Sequence, residues 1–398
     1  MEFYVARLPV FDRKKRVFGY KLQLCKGLME SLCGQYREPD DAELLYQQLC
    51  FTGLEDAVQK PTAILDFSEE LVESLIPILP KSCVIVEYGK IDNSEITDLK
   101  DIKKIQIHGY RVLYDATVNT SPRVLEMTDY IKLDYTALSP DAQRERIKRN
   151  KLKRGFYACG IETWEDFQRA FDIGYDFFQG DYFMRPLPGQ PSVMRSFNTP
   201  VLRVMSELSE PEPSFKEITN IIEHDLNLSY SLLKLVNSAY IAPRFKVKTI
   251  SQAITILGLS QLNEFMTTIA IKQMQSPGNC ELLRRSLIRG KYMDLLAASV
   301  KLQQKGSEAF FTGIFSLVDV ILGRSMAEVL EELPLTDTVK DALLGGEGAL
   351  KSLLDMVRLY EKAHWEDFEA RYNLDLTEQE KLMTAYLTAL KWAESLEF

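Results

Sequence analysis

The chain has 398 residues, 46% of them hydrophobic and 26% charged, with a formal net charge of −9 at pH 7. This is the composition of folded globular protein, so a disordered chain is excluded, and the acidic balance argues against a dedicated nucleic-acid binder. No uninterrupted apolar run reaches the roughly eighteen residues that span a bilayer, and Met1–Arg7 lacks the basic region and apolar core of a signal peptide, so a cytoplasmic protein with no membrane partner is expected. The cysteines, Cys25, Cys33, Cys50, Cys83, Cys159 and Cys280, are never spaced as a zinc site requires and read as reduced structural thiols.

In chain order, residues 3–10 and 18–24 read as strands. The intervening Asp12–Arg16 is too short for a crossover helix, so this first pair is expected to be an antiparallel hairpin. Helical stretches follow at 40–58, 68–78, 92–107 and 139–154. They alternate with the apolar segments Thr62–Asp66, Cys83–Glu87, Arg111–Asp115, Tyr130–Asp134 and Tyr157–Glu162, each ending in an acid, and with Phe177-Phe178. Strand–helix alternation gives a largely parallel sheet, and about eight strands suit an α/β, TIM-barrel-like fold. Because 186 residues is short for such a barrel, shortened helices or an imperfect barrel are expected.

In the helix at 139–154, Ser139 is placed to cap, Pro140 to open and Gly155 to stop it. Its second half holds Arg144, Arg146, Lys148, Arg149, Lys151, Lys153 and Arg154. These cations fit either an anionic partner or a solvated face suited to the helix C-terminal dipole.

Pro186–Pro191 carries three prolines and a glycine and marks a boundary. Residues 187–194 are taken as a linker between a barrel domain at 1–186 and an all-α domain at 195–398. Helical periodicity then covers 201–208, 215–223, 229–235, 250–257, 259–274, 282–304, 307–322, 326–333, 339–344, 350–364 and 378–395. Asp225 or Asn227 is expected to cap one helix and Ser251 another, with breaks at Gly258 and Gly345-Gly346.

The first half resembles the EAL domain. The resemblance rests on the ordered set 6–12, 19–23, 65–68, Val86-Glu87, 109–115, 130–134, 158–163 and 178–183. The second half resembles the HDOD domain through 222–225, 232–239, 250–258 and 315–319, most specifically Asn237-Ser238 followed by the Gln252…Gly258 block. The EAL resemblance implies a barrel whose catalytic members hydrolyse the bacterial second messenger cyclic di-GMP with two divalent metals held by carboxylates at the strand ends. Paired metals stabilise both the attacking and the leaving oxygen of a phosphodiester.

Position by position, this sequence departs from that pattern. The family's naming glutamate falls at Lys21 and its phosphate-gripping arginine at Cys25. The asparagine ligand falls at Asp66. The next glutamate is kept as Glu87, and of the paired aspartates Asp115 is kept while Ala116 replaces the second. The lysine is kept as Lys132, a further glutamate falls at Cys159, and Glu162 and Gln179 are kept.

Lys21, Asp66, Glu87, Asp115, Lys132, Glu162 and Gln179 are therefore read as a vestigial pocket at the barrel mouth, with no catalytic residue, no bound metal and no cofactor. Hard divalent cations need several oxygen ligands, and an ammonium beside them is repulsive. Lys21 is expected either to replace the metal as counter-ion to the remaining acids or to be solvated in an open mouth. In the helical half, His224-Asp225 looks like a metal pair, but the chain has only two other histidines, His108 and His364; Asp225 is read as a cap and His224 as incidental. Glu308 and Asp319, on an apolar helix, either line a pocket or satisfy neighbouring helix ends.

The expected function is non-catalytic bacterial signal transduction. The chain would be an adaptor that reaches other signalling proteins through its HDOD domain, with cyclic di-GMP binding not expected. A non-hydrolysing sensor of cyclic di-GMP or another small ligand is the alternative reading, and an active phosphodiesterase the remote one.

Overall fold

The computed structural model describes residues 3–26, 30–31, 62–66, 81–89, 95–116, 121–136, 139–150, 154–185, 199–237, 246–275, 279–299, 306–372, 374 and 376–396. The helices expected at 40–58 and 68–78, the joint at Pro186–Pro191 and the side chain of Cys25 lie outside what is described. Two compact units are present: Met1–Pro188 together with Met356–Ser395, and Gly189–Asp355 together with Leu396–Phe398. The segment Met356–Ser395, read from sequence as part of the helical domain, thus lies within the first unit.

The strands are β1 (Phe3–Asp12), β2 (Val17–Lys26), β3 (Glu30–Ser31), β4 (Thr62–Asp66), β5 (Val84–Tyr88), β6 (Arg111–Asp115), β7 (Tyr130–Asp134), β8 (Gly155–Cys159) and β9 (Phe177–Gln179). Their order is β1-β9-β8-β7-β6-β5-β4-β2-β3, and β1 also pairs with β2. Eight strands therefore close into a barrel, with the short β3 an appendage on β2. β1 runs antiparallel to both neighbours, and the remaining barrel pairs are parallel. This is the TIM-barrel-like class with an antiparallel first pair that the sequence predicts. The hairpin holds because Asp12 organises its turn: one carboxylate oxygen accepts from the Lys14 and Arg16 amides at 2.8 and 2.9 Å, and the other accepts from the Arg16 guanidinium.

The described intervening helices are short, as the length predicts: α1 (Glu95–Ile107), α2 (Pro122–Met127), α3 (Pro140–Asn150) and α4 (Trp164–Ile173). α3 starts where expected, with the Ala142 amide donating to Ser139 Oγ. One layer inside the barrel is apolar, formed by Val10, Ile64, Ile85, Leu113 and Tyr157. Strand side chains alternate with period two, so the residue two places further along each strand points to the same interior. On β4, β5, β6 and β8 those residues are Asp66, Glu87, Asp115 and Cys159. The polar mouth is the next layer of the barrel core.

The second unit is helical: α5 (Thr199–Ser209), α6 (Phe215–Glu223), α7 (Leu226–Val236), α8 (Ile250–Gln273), α9 (Cys280–Ser299), α10 (Gly306–Phe315), α11 (Val318–Leu322), α12 (Met326–Glu332), α13 (Asp337–Leu343) and the start of α14 (Ala349–Glu361). Asp225 caps α7 by accepting from the Leu228 amide at 2.9 Å. Ser251 does not cap α8. Thr249 does, accepting from the Gln252 amide, because Ser251 already lies within the first turn. Gly258 breaks α8 with φ 74°, a conformation glycine adopts at little cost. By length and composition α8 is the one described helix that could cross a membrane; half of that stretch is buried within the fold.

The single helix expected over 307–322 is two. Ser316 Oγ donates back to the Gly313 carbonyl at 2.6 Å and accepts from buried Arg289 at 2.7 Å, which diverts the chain after Phe315. The first unit also contains α15 (Trp365–Arg371), which the sequence reading did not anticipate, and α16 (Leu376–Ser395).

Candidate functional site at the barrel mouth

Four strands bring one ion cluster together. Lys21 on β2 places its Nζ 2.9 Å from both carboxylate oxygens of Glu87 on β5. Lys132 on β7 bridges two acids, donating to Glu87 Oε1 at 2.7 Å and to Asp115 Oδ2, on β6, at 2.8 Å. The strand register explains the meeting, since Asp66 lies beside Glu87 and Asp115 beside Lys132 across parallel pairs. The Glu87 side chain is 3% exposed and both lysines 13%, so this is a desolvated cluster rather than a surface pair.

Burial by itself would raise the Glu87 carboxyl. The charges and hydrogen bonds of Lys21 and Lys132 outweigh it and bring the group down to about 2. Burial likewise opposes the charge on Lys132, yet Glu87 and Asp115 hold it well above the ordinary lysine range. Both groups are therefore charged at neutral pH. A buried carboxylate needs such a partner.

Of the other expected mouth residues, Asp66 is exposed at the end of β4 and Glu162 is exposed beyond β8. Gln179, on β9, accepts a hydrogen bond from the buried Tyr157 hydroxyl. Lys21, Lys132, Glu162 and Gln179 line one cavity of about 320 Å3, with Gln23, Cys159, Gly180 and Asp181. Gly180 shapes its rim: its φ is 150°, and a Cβ there would fall 2.0 Å from the Ile161 carbonyl oxygen. The acid ending β7, Asp134, closes a local turn by accepting from the Thr136 amide and hydroxyl and does not reach the cluster. Tyr157 was legible only as an apolar strand residue, and Cys159 only as the place where the EAL resemblance has a glutamate. Lys362, Ala363 and His364, which also line the cavity, lie far away in sequence and carried no motif.

The metals that the EAL resemblance implies do not fit this donor set. The oxygens of Glu87 face two ammonium groups at contact distance. Each positive unit charge brought within about 4 Å of such a group costs on the order of 4 kcal/mol even at an effective dielectric of about 20. Among the described residues no group of three or more His, Cys, Asp or Glu side chains could hold a metal ion.

In the helical unit, His224 terminates α6, its Nδ1 2.7 Å from the Asn220 carbonyl oxygen. Glu308 accepts from the hydroxyls of Thr336 and Thr338 at 2.8 and 2.7 Å, at the start of α13. Asn237 joins two segments: its amide donates to the Val247 carbonyl at 3.0 Å and its oxygen accepts from the Val247 amide at 2.9 Å.

Fold and site define the class, a closed α/β barrel with a reversed first strand, followed in the chain by a helical unit. Residues 194–339 match the HDOD domain. With the barrel, this supports a tandem EAL–HDOD architecture. The chain is similar along its length to the uncharacterized protein YuxH of Bacillus subtilis, with 29% identity over 100% of this chain and 99% of that one. It is also 27% identical to the cyclic di-GMP phosphodiesterase CdgJ of Vibrio cholerae, over 99% of this chain and 93% of that one. Among solved structures, the calcium and cy-diGMP complex of Klebsiella pneumoniae BlrP1 matches with a TM-score of 0.37 and 17% identity, over 45% of this chain and 54% of that one.

Proposed function

We propose that the chain is a non-catalytic protein of bacterial cyclic di-GMP signalling, in which the barrel is a phosphodiesterase-like remnant and the work is done by binding other signalling proteins in the cytoplasm. The observation that carries this reading is the buried Lys21–Glu87–Lys132–Asp115 cluster, which spends on internal neutralisation the carboxylates a metal would need. On α7 of the helical unit two exposed apolar side chains, Leu226 and Tyr230, one turn apart and 84% and 66% exposed, fit the adaptor part.

Incubating the full chain with cyclic di-GMP and manganese or magnesium should yield no linear or mononucleotide product. Product that disappears in Glu87→Ala would overturn the reading. The cavity over the cluster favours one second reading, a sensor that binds without turnover. Calorimetric titration with cyclic di-GMP tests it: clear binding without product establishes the sensor.

A further inference from the structure

The barrel mouth is not built by the barrel alone. Among the described residues β1 pairs with β9 only from Val10 to Asp12, and no described strand covers the earlier part of that edge. There the Arg7 amide donates to the Tyr386 hydroxyl of α16 at 3.3 Å, and the Arg7 guanidinium pairs with Glu394 at 2.7 Å while lying over the Tyr20 ring. The Arg7 side chain is only 9% exposed, so this clamp is largely withdrawn from solvent. Tyr386 belongs to an aromatic cluster with Tyr360, Trp365 and Phe368 that binds the end of α14, α15 and α16 into one body.

That body delivers the Lys362–His364 turn to the mouth. All three residues line the same cavity as Lys21, Lys132, Glu162 and Gln179. Lys362 reaches Asp181, beside Gly180 on the opposite rim, at 3.4 Å. Between the exposed Lys362 and His364, Ala363 is buried with φ 56°, a left-handed conformation that is unfavourable for a non-glycine residue. Its amide donates to the Tyr360 carbonyl at 3.0 Å, which ends α14 and turns the chain across the rim. Here a conformation unfavourable in isolation is held by surrounding packing, as at switch segments. The remaining cavity, about 320 Å3, stands at the low end of the roughly 300–1,000 Å3 typical of ligand pockets.

We propose that residues Met356–Ser395 are an autoinhibitory gate on the barrel mouth. In the closed state the Lys362–His364 turn narrows the cavity so that a ligand as large as a cyclic dinucleotide is kept from the Lys21–Glu87–Lys132 floor. Releasing the turn opens the site. This goes beyond the adaptor reading and does not depend on it, because a gated mouth can belong to a dead barrel or a binding one.

Cys159 reports the gate directly, since it lines the cavity and its thiol is pushed by burial up to about 11, which makes it slow to react when covered. The experiment is peptide-resolved alkylation of the full chain with a maleimide, with Cys280 of the other unit as internal reference. Two variants open the turn. Ala363→Pro cannot adopt the left-handed conformation and lacks the amide that bonds Tyr360. Lys362→Glu sets like charges against Asp181. The Cys159 rate should rise at least about five-fold in Ala363→Pro and measurably in Lys362→Glu, with Cys280 unchanged. Cys159 rates within two-fold of the parent in both variants would overturn the gate. If Ala363→Pro loses its helical circular dichroism, Lys362→Glu alone decides. The readout contains no turnover, so failure here and failure of the hydrolysis test are separate results.

Discussion

Replacing Lys132 by methionine should destabilise the first unit by about 3–5 kcal/mol, the cost of removing one partner from a buried ion pair. Lys132 donates to two acids at once, and both Glu87 and the lysine are withdrawn from water, so the loss is not softened by solvent as it is for exposed pairs. Methionine preserves much of the stem and its packing, which isolates the charge. In a unit of this size the effect is a fall in melting temperature of roughly 10 °C. The second arm is a double-mutant cycle with Glu87→Gln. Because Lys132→Met leaves the carboxylates of Glu87 and Asp115 with Lys21 as the one ammonium of the cluster, removing the Glu87 charge as well should regain part of the stability, with a coupling energy above about 2 kcal/mol. A coupling below about 0.5 kcal/mol, the range of exposed pairs, would mean the cluster is ornamental.

Acid should unfold the barrel through the same carboxylate. Glu87 titrates near 4.3 in an unfolded chain and is held down to about 2 in the fold. A depressed folded value means that the unfolded state takes up the proton first. The contribution is complete above about pH 5 and lost as pH falls through about 2, worth roughly 3 kcal/mol in all. Lys132 does not confuse this window. Its raised value places its contribution below the ordinary lysine range and its loss on the alkaline side. Urea midpoints measured stepwise from neutral to acid pH should fall more steeply for the parent than for Glu87→Gln, and the two curves should converge at low pH. Parallel curves would contradict the assignment.

The barrel was legible because its strands are short apolar runs ending in acids, and the period-two alternation that makes Ile64, Ile85 and Leu113 core also fixes Asp66, Glu87 and Asp115 as the next inward layer. That same periodicity puts Lys21 and Lys132 at the mouth, but Lys132 was singled out by the EAL resemblance, and the sequence left open whether Lys21 pairs with the acids or is solvated. Asp134 shows the limit of this reading. It ends a strand like the others, but a local Thr136 turn captures its carboxylate, and nothing in the strand pattern distinguishes that case. The contribution of Lys362–His364 was hidden for a different reason. Helical periodicity shows which face of a segment is apolar and not which body it packs on, and the contacts of Arg7 with Tyr386 and Glu394 join residues nearly four hundred positions apart. The break after Phe315 was missed because a buried arginine and a serine hydroxyl override an uninterrupted apolar pattern, an effect of tertiary packing that propensity does not carry.

Thermal unfolding of the full chain with and without millimolar manganese tests the central claim most directly, that two ammonium groups hold the acids a metal would otherwise take. A ligand that binds only the folded state at one hundred times its Kd adds about 2.7 kcal/mol. With Lys21 and Lys132 in place, the melting temperature should be the same in manganese and in chelator. A rise of several degrees in manganese that vanishes in Glu87→Gln would show that Glu87 binds metal in spite of both lysines, and would contradict the account.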